Sequence, residues 1–337
     1  MNVAWLKSRC INALRCYASY ALSLTGKVRV SHMPLFVSVE PSDVCQLRCP
    51  ECPVGQANNS HNVKRTGQMP LDLWHRTLEQ IRPYAHTVQF YFQGEPLLNE
   101  ELYRMVYEAQ RDGLFTIVST NAQAMTAEIA DRLVGAGLHR IIVSMDGLTD
   151  ESYNAYRIGG SLEQCKKALG YLRHAKKICG SDVVIELQVL RLRTNEHEWA
   201  QFRREYKRLG ADRLVFKTAQ LHNYADGHPL MPSDERYSRY VKSPDGHYHL
   251  RRRGRTCFRV WSGVVIAANG DVLPCCYDKS HAHAYGNIKE FPLSELFRSA
   301  SANAFRASAL ATLDASRKPD DVPAGRQNVS ICSECWQ

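Results

Sequence analysis

Glu40-Pro41-Ser42-Asp43-Val44-Cys45-Gln46-Leu47-Arg48-Cys49-Pro50-Glu51-Cys52-Pro53 follows directly on a short apolar run that starts at Leu35. Its three cysteines, at C-x3-C-x2-C spacing, fit on one short loop at the end of a strand-like segment. Thiolates are the ligands that iron–sulfur clusters require. Three of them hold three irons of a cubane and leave the fourth iron free. An open coordination position is what a catalytic metal centre needs. A structural zinc site is the competing reading. It needs a fourth protein ligand, for which His61 is the nearest candidate.

Downstream of the loop the chain keeps a regular rhythm. Apolar, β-branched runs recur at Leu35 to Glu40, Val88 to Gln93, Phe115 to Ser119, Arg140 to Met145, Val183 to Leu190 and Leu214 to Thr218. Between them lie stretches of helical periodicity: Leu71 to Ile81, Glu100 to Arg111, Ala127 to Gly135, Leu162 to Ile178 and Glu198 to Leu209. Strands alternating with helices read as βα units around a parallel sheet. The expected fold is α/β, a partial (β/α)6 barrel of the TIM type, left partly open. In such folds the loops at the carboxyl ends of the strands carry the chemistry.

The remaining composition sets limits. The chain has 337 residues, 44% of them hydrophobic, enough for a core and against wholesale disorder. It has no apolar run long enough to span a membrane. A formal charge of +9 suits anionic partners or substrates, but no aromatic-plus-basic module accompanies it, so no nucleic acid is expected. Twelve cysteines in a chain this long point to metal or redox chemistry in a reducing compartment, so the expected location is cytoplasmic. Residues 1–39 contain no Asp or Glu, and Val3 to Leu24 is apolar-periodic. A helix docked on the body is the preferred reading. A membrane-surface helix and a cleaved leader are the others, so a peripheral membrane contact stays open. The division read from the sequence is 1–34 amphipathic helix or leader, 35–225 core barrel, 226–256 linker and 257–337 small C-terminal extension. Arg251-Arg252-Arg253-Gly254-Arg255 reads as a solvated basic face.

The extension carries a second cysteine set. Cys257 and Cys275 stand at the feet of an expected hairpin, Val260 to Ala267 and Asp271 to Leu273, turning at Asn269-Gly270. A helical stretch, Leu293 to Leu313, follows, and Cys332-Ser-Glu-Cys335 ends the pattern. Four thiolates complete either a [4Fe-4S] cluster or a zinc site. Cys276 could replace Cys275; the spacing favours Cys275.

The first set resembles the signature of the radical S-adenosyl-L-methionine (radical SAM) enzymes, in which three such cysteines ligate a [4Fe-4S] cluster whose open iron chelates S-adenosylmethionine. The resemblance implies that role for Cys45, Cys49 and Cys52. Glu51 stands where the family usually has an aromatic residue. Gln93-Gly94-Glu95-Pro96 resembles the family's Gly-Gly-Glu-Pro segment, used for the amino group of S-adenosylmethionine. Ser119-Thr120-Asn121 resembles its Thr-Asn-Gly, with Ala122 in place of Gly. Ser144-Met145-Asp146-Gly147 resembles the segment near the ribose and carboxylate, and Arg157 a basic position that follows. Gln188 and Arg191 could face the pocket or stay structural. The second set resembles the SPASM or "twitch" extension, which implies an auxiliary [4Fe-4S] cluster on Cys257, Cys275, Cys332 and Cys335. Reductive cleavage to a 5′-deoxyadenosyl radical and hydrogen abstraction are then expected. The expected outcome is a net oxidation, dehydrogenation of a sugar or cyclitol-like alcohol with the auxiliary cluster accepting an electron. A peptide maturase making crosslinks or thioethers is the first alternative, and a non-catalytic zinc scaffold the second. The expected partners are a small-molecule or peptide substrate and a flavodoxin- or ferredoxin-type donor. The residues that would act as catalytic acid or base are not identified.

Overall fold

A computed structural model describes residues 3–56, 67–251, 257–315 and 331–335. His61 and most of the Arg251–Arg255 run lie outside them.

The six expected strands form, within a few residues of their expected bounds. They are β1 (Phe36–Val39), β2 (Thr87–Phe90), β3 (Phe115–Thr120), β4 (Arg140–Ser144), β5 (Val184–Arg191) and β6 (Arg213–Thr218). All five neighbouring pairs are parallel and lie in chain order. The crossover helices are α2 (Leu71–Ile81), α3 (Leu102–Arg111), α4 (Ala127–Gly135), the short α5 (Asp150–Asn154), α6 (Leu162–Ile178) and α7 (Trp199–Leu209). Side-chain caps start several of them: Thr126 accepts from Ile129 N and Ser161 from Gln164 N. The helices bury their apolar stripes against the outside of the sheet, as Leu73, Trp74, Met105, Leu133, Leu169 and Phe202 show. Among the described residues the strand ladder does not close on itself, so the barrel is partial.

The extension does not stand apart from this sheet. The start of the strand expected over Val260 to Ala267 is instead part of a helical turn, α8 (Phe258–Ser262), and β9 (Gly263–Ile266) pairs in parallel with β1. The hairpin turns as expected at Asn269-Gly270, where Gly270 takes φ +97°. It returns as β10 (Asp271–Leu273), and β11 (Gly286–Asn287) closes the edge. One nine-stranded sheet therefore runs through both regions. The expected helix over 293–313 is two, α9 (Leu293–Arg298) and α10 (Ala300–Ala315). They break at Ser299, whose hydroxyl accepts from Ala302 N. The stretch read as a linker is built too. β7 (Tyr240–Lys242) and β8 (Tyr248–Leu250) form a hairpin, and Leu230, Met231 and Tyr240 bury in a small core with Leu47, Cys49 and Tyr156.

Residues Val3–Ser23 form one helix, α1, docked on the body. Arg9 donates to the carbonyls of Arg82, Asp112 and Gly113, and Asn12 to those of Met33 and Tyr84. These carbonyls precede β1, β2 and β3, so α1 lies across the amino ends of the strands. No helix among the described residues is long and apolar enough to cross a membrane.

Candidate active site

The carboxyl ends of the strands converge on a cavity of about 960 Å3. The loop that follows β1 forms part of its wall and brings Cys45, Cys49 and Cys52 to it. Two constraints hold that loop. Buried Glu40 accepts from Gln93 N at 3.2 Å and from Ala268 N at 3.2 Å, tying the ends of β1, β2 and β9 together. Burial pushes its carboxyl up to about 7, against the pull of those two N–H groups. Gly94 passes directly beneath the loop, and a Cβ there would collide with the carbonyl oxygens of Ser42 and Val44. Glu95 N donates to Val44 O at 2.8 Å. Cys45 Sγ accepts from Asn121 Nδ2 at 3.4 Å and from Leu47 N at 3.5 Å, and N–H donation of this kind suits a thiolate.

Gln93, Gly94, Glu95, Thr120, Asn121, Ser144 and Arg157 line the same cavity. Glu95 is fully buried, and both its oxygens are occupied from within the chain. Oε1 accepts from Thr120 Oγ1 at 2.6 Å and from Leu97 N, and Oε2 accepts from Asn121 N at 2.8 Å. It braces the ends of β2 and β3; burial raises its pKa against these donors. Pro96 and Asp146, named as cofactor contacts from the sequence, do not line the cavity. Pro96 starts a buried turn of 3-10 helix. Asp146 is wholly buried, accepting from Leu190 N at 2.6 Å and pairing with Arg157 Nε at 2.6 Å. Burial would lower the Arg157 pKa, but Asp146 and the nearby thiols outweigh it and hold the guanidinium above its ordinary value. Asp146 is thus the residue that aims Arg157. Gln188 and Arg191 also reach the cavity.

Several wall residues have no local sequence signal. Glu51 Oε2 accepts from His222 N at 2.6 Å and from His222 Nδ1 at 2.9 Å, and Oε1 lies 3.3 Å from His228 Nε2. Burial alone would raise its carboxyl, but these partners hold it below the ordinary value. Glu51 therefore fastens the cysteine loop to the segment after β6. Lys217, Arg236, Arg239, Arg259 and Lys279 add cations to the wall. Arg239 donates to Thr218 O and to the Tyr277 hydroxyl, and Gln93 Nε2 donates to Lys279 O. Burial lowers the Lys279 pKa. Because these residues lie more than 150 positions from the cysteine loop, only folding makes them neighbours of it.

A second, small apolar cavity is lined by Cys257, Cys275, Cys332 and Cys335, together with Val260, Tyr277, Phe305 and Ile331. Cys276 faces instead into the large cavity and accepts from Arg259 Nη1 at 3.7 Å. Among the described residues no three His, Cys, Asp or Glu side chains converge on a single ion position. A cubane does not require that convergence, because each of its thiolates takes a different iron. The donor set of three thiols under a roomy cavity and four around a small apolar one fits one open and one closed [4Fe-4S] cluster.

Residues 39–199 match the model of the radical SAM superfamily, and residues 257–336 match that of an iron–sulfur cluster-binding domain, SPASM. The AdoMet-dependent heme synthase of Nitratidesulfovibrio vulgaris is 24% identical over 300 residues, covering 78% of each chain. The PqqA peptide cyclase of Bradyrhizobium diazoefficiens is 27% identical over 266 residues, covering 72% of this chain and 67% of that protein. The solved structure of anSMEcpe with bound AdoMet superposes with a TM-score of 0.62 at 18% identity, covering 82% of this chain and 81% of the other.

Proposed function

From a chain that belongs to the radical SAM superfamily and carries a SPASM domain, we propose an enzyme that abstracts hydrogen from an anionic organic substrate, with a peptide as the favoured class. The observation that carries the substrate charge is the cavity wall. It presents Lys217, Arg239, Arg259 and Lys279, while its carboxylates, Glu51 and Glu95, are engaged within the chain and Arg236 is paired with Asp234. Such a wall favours carboxylate or phosphate groups. The relatives named for a peptide cyclase support the peptide class over the sugar or cyclitol alcohol expected from the sequence.

When bound, the open [4Fe-4S] cluster and S-adenosylmethionine would supply a 5′-deoxyadenosyl radical, and the auxiliary cluster would supply electron transfer. In this reading Cys45, Cys49 and Cys52 hold the open cluster, and Cys257, Cys275, Cys332 and Cys335 the auxiliary one. Arg157, aimed by Asp146, receives the carboxylate of S-adenosylmethionine. Gln93 and Gly94, which line the cavity, would receive its ammonium group, while Glu95 keeps that turn in place. Thr120, Asn121 and Ser144 face its remaining polar groups.

Oxidation of an alcohol is the second reading. The four thiols around the auxiliary position favour it, because full thiolate ligation leaves no position there for substrate.

Anaerobic reconstitution tests the ligand sets. About eight irons with matching sulfide are expected, falling to about four when Cys45, Cys49 and Cys52 are changed to Ala. Zinc without sulfide overturns the proposal. Release of 5′-deoxyadenosine across acidic peptides and polyhydroxy alcohols then tests the substrate. Stimulation by peptides, with a product two hydrogens lighter, supports the favoured class. Stimulation by alcohols alone transfers the assignment to the second reading.

A further inference from the structure

α1 is docked the wrong way round for an ordinary surface helix. Its buried residues are Arg9, Asn12, Cys16, Ser19 and Ser23; Cys16 and Tyr20 pack inward, but Arg9, Asn12 and Ser19 hold the helix by polar contacts. Arg9 and Asn12 bind carbonyls of the body, and Ser19 Oγ lies 3.1 Å from His32 Nδ1. The outward face is the apolar one, with Leu14 71% and Leu24 60% exposed beside Leu6, Ile11 and Tyr17. A helix that only covers a core turns its apolar stripe inward. Contiguous apolar exposure of this kind marks an interaction surface.

The charges beside that face identify its partner. Residues 1–39 contain no Asp or Glu, and Lys7, Arg15, Lys27 and Arg29 are all exposed. A second copy meeting this face across a two-fold axis would bring like cations together with no carboxylate on the helix to pair them. Anionic lipid headgroups complement them, and the apolar side chains can enter the boundary between headgroups and acyl chains. We propose that the outward face of α1 is a docking surface for an anionic lipid bilayer, on which the helix lies in the plane of the interface. α1 covers the amino ends of the strands, so the cavity at their carboxyl ends opens away from the bilayer and stays accessible to substrate and electron donor. The proposal is independent of the substrate assigned to that cavity.

Co-sedimentation of the full chain with vesicles tests it. Vesicles of phosphatidylcholine with phosphatidylglycerol should bind the protein at least about tenfold more tightly than phosphatidylcholine alone, and added salt should weaken the binding. Leu6→Ser, Ile11→Ser and Leu14→Ser combined should abolish it. Lys7→Glu with Arg15→Glu should remove the preference for phosphatidylglycerol. Unchanged circular dichroism and iron content in each variant separate loss of binding from loss of fold. Absence of binding to either vesicle overturns the proposal, as does undiminished binding by the folded triple variant. A dimer in light scattering that the triple variant makes monomeric, without vesicle binding, would assign the face to a second copy instead and also overturn it.

Discussion

Asp146 and Arg157 form a buried pair whose members do different things. The carboxylate is wholly buried and also holds Leu190 N, while the guanidinium reaches the cavity. Removing one partner leaves the other charge buried and uncompensated, which costs about 3–5 kcal/mol. Arg157→Ala should therefore lower unfolding free energy by about that much and also weaken S-adenosylmethionine binding in equilibrium dialysis. Unchanged stability would show that Asp146 is neutralised elsewhere. Ala122 is a different case. It takes φ +65°, the left-handed region where a Cβ is crowded, at the place where the family pattern has Gly. Ala122→Gly should raise stability in denaturant melts by about 1 kcal/mol, the strain relieved offsetting the added freedom of the unfolded chain. A loss of stability would mean that the buried methyl packs well enough to outweigh the strain.

α1 is held by few residues. Arg9 makes four hydrogen bonds to three backbone carbonyls, and these bridge the approaches to β2 and β3. Charge-assisted bonds of this kind are strong, and Arg9→Ala should cost about 2–3 kcal/mol. The loss should be local first, seen as faster hydrogen exchange in residues 3–23 while the amides of β1 to β4 keep their protection. Uniform loss of protection across the sheet would mean that α1 is part of the global folding unit. β9 is the corresponding element in the extension. Its parallel pairing with β1 makes the hairpin continuous with the barrel sheet, and Glu40 clasps the two strands at their ends.

Taken over the molecule as a whole, two buried groups give stability opposing pH dependences. His32 has its pKa lowered from 6.5 to about 4, chiefly by burial, against the pull of the Trp261 carbonyl beside its ring. The unfolded chain binds more protons between those values, so this group makes stability rise with pH there. Glu40 is pushed by burial to about 7 from 4.5. The folded chain binds more protons in that window, so this group makes stability fall as pH rises. The two slopes overlap and partly cancel. Melting temperatures measured from about pH 5 to about pH 7 should therefore separate in the variants. Relative to the parent, His32→Gln should fall more steeply with rising pH and Glu40→Gln should rise. Identical slopes in all three proteins would show that neither group carries the assigned shift.

The strand–helix rhythm, the hairpin turn and the first cysteine loop were legible in the chain, because each is written within a few neighbouring residues; the second cysteine set, spread from Cys257 to Cys335, was read through its resemblance to a known extension. Apolar β-branched runs placed β1 to β6 within a few residues, and helical periodicity placed α2, α3, α4, α6 and α7, since both signals need no distant partner. C-x3-C-x2-C put three thiols on one loop by spacing alone. Local order also misled: residues 260–262 read as strand and fold as part of a helical turn, and 226–256 read as a linker while holding a hairpin and part of a core. Long-range contact decided the rest. It turned Asp146 away from the cavity to aim Arg157 and joined Glu51 to His222 across 171 positions. It also turned the apolar side of α1 outward, because the carbonyls at the amino ends of the strands demanded donors from Arg9 and Asn12. Sequence carries what a residue and its near neighbours can satisfy among themselves; which distant group satisfies a buried charge or carbonyl exists only once the chain is folded.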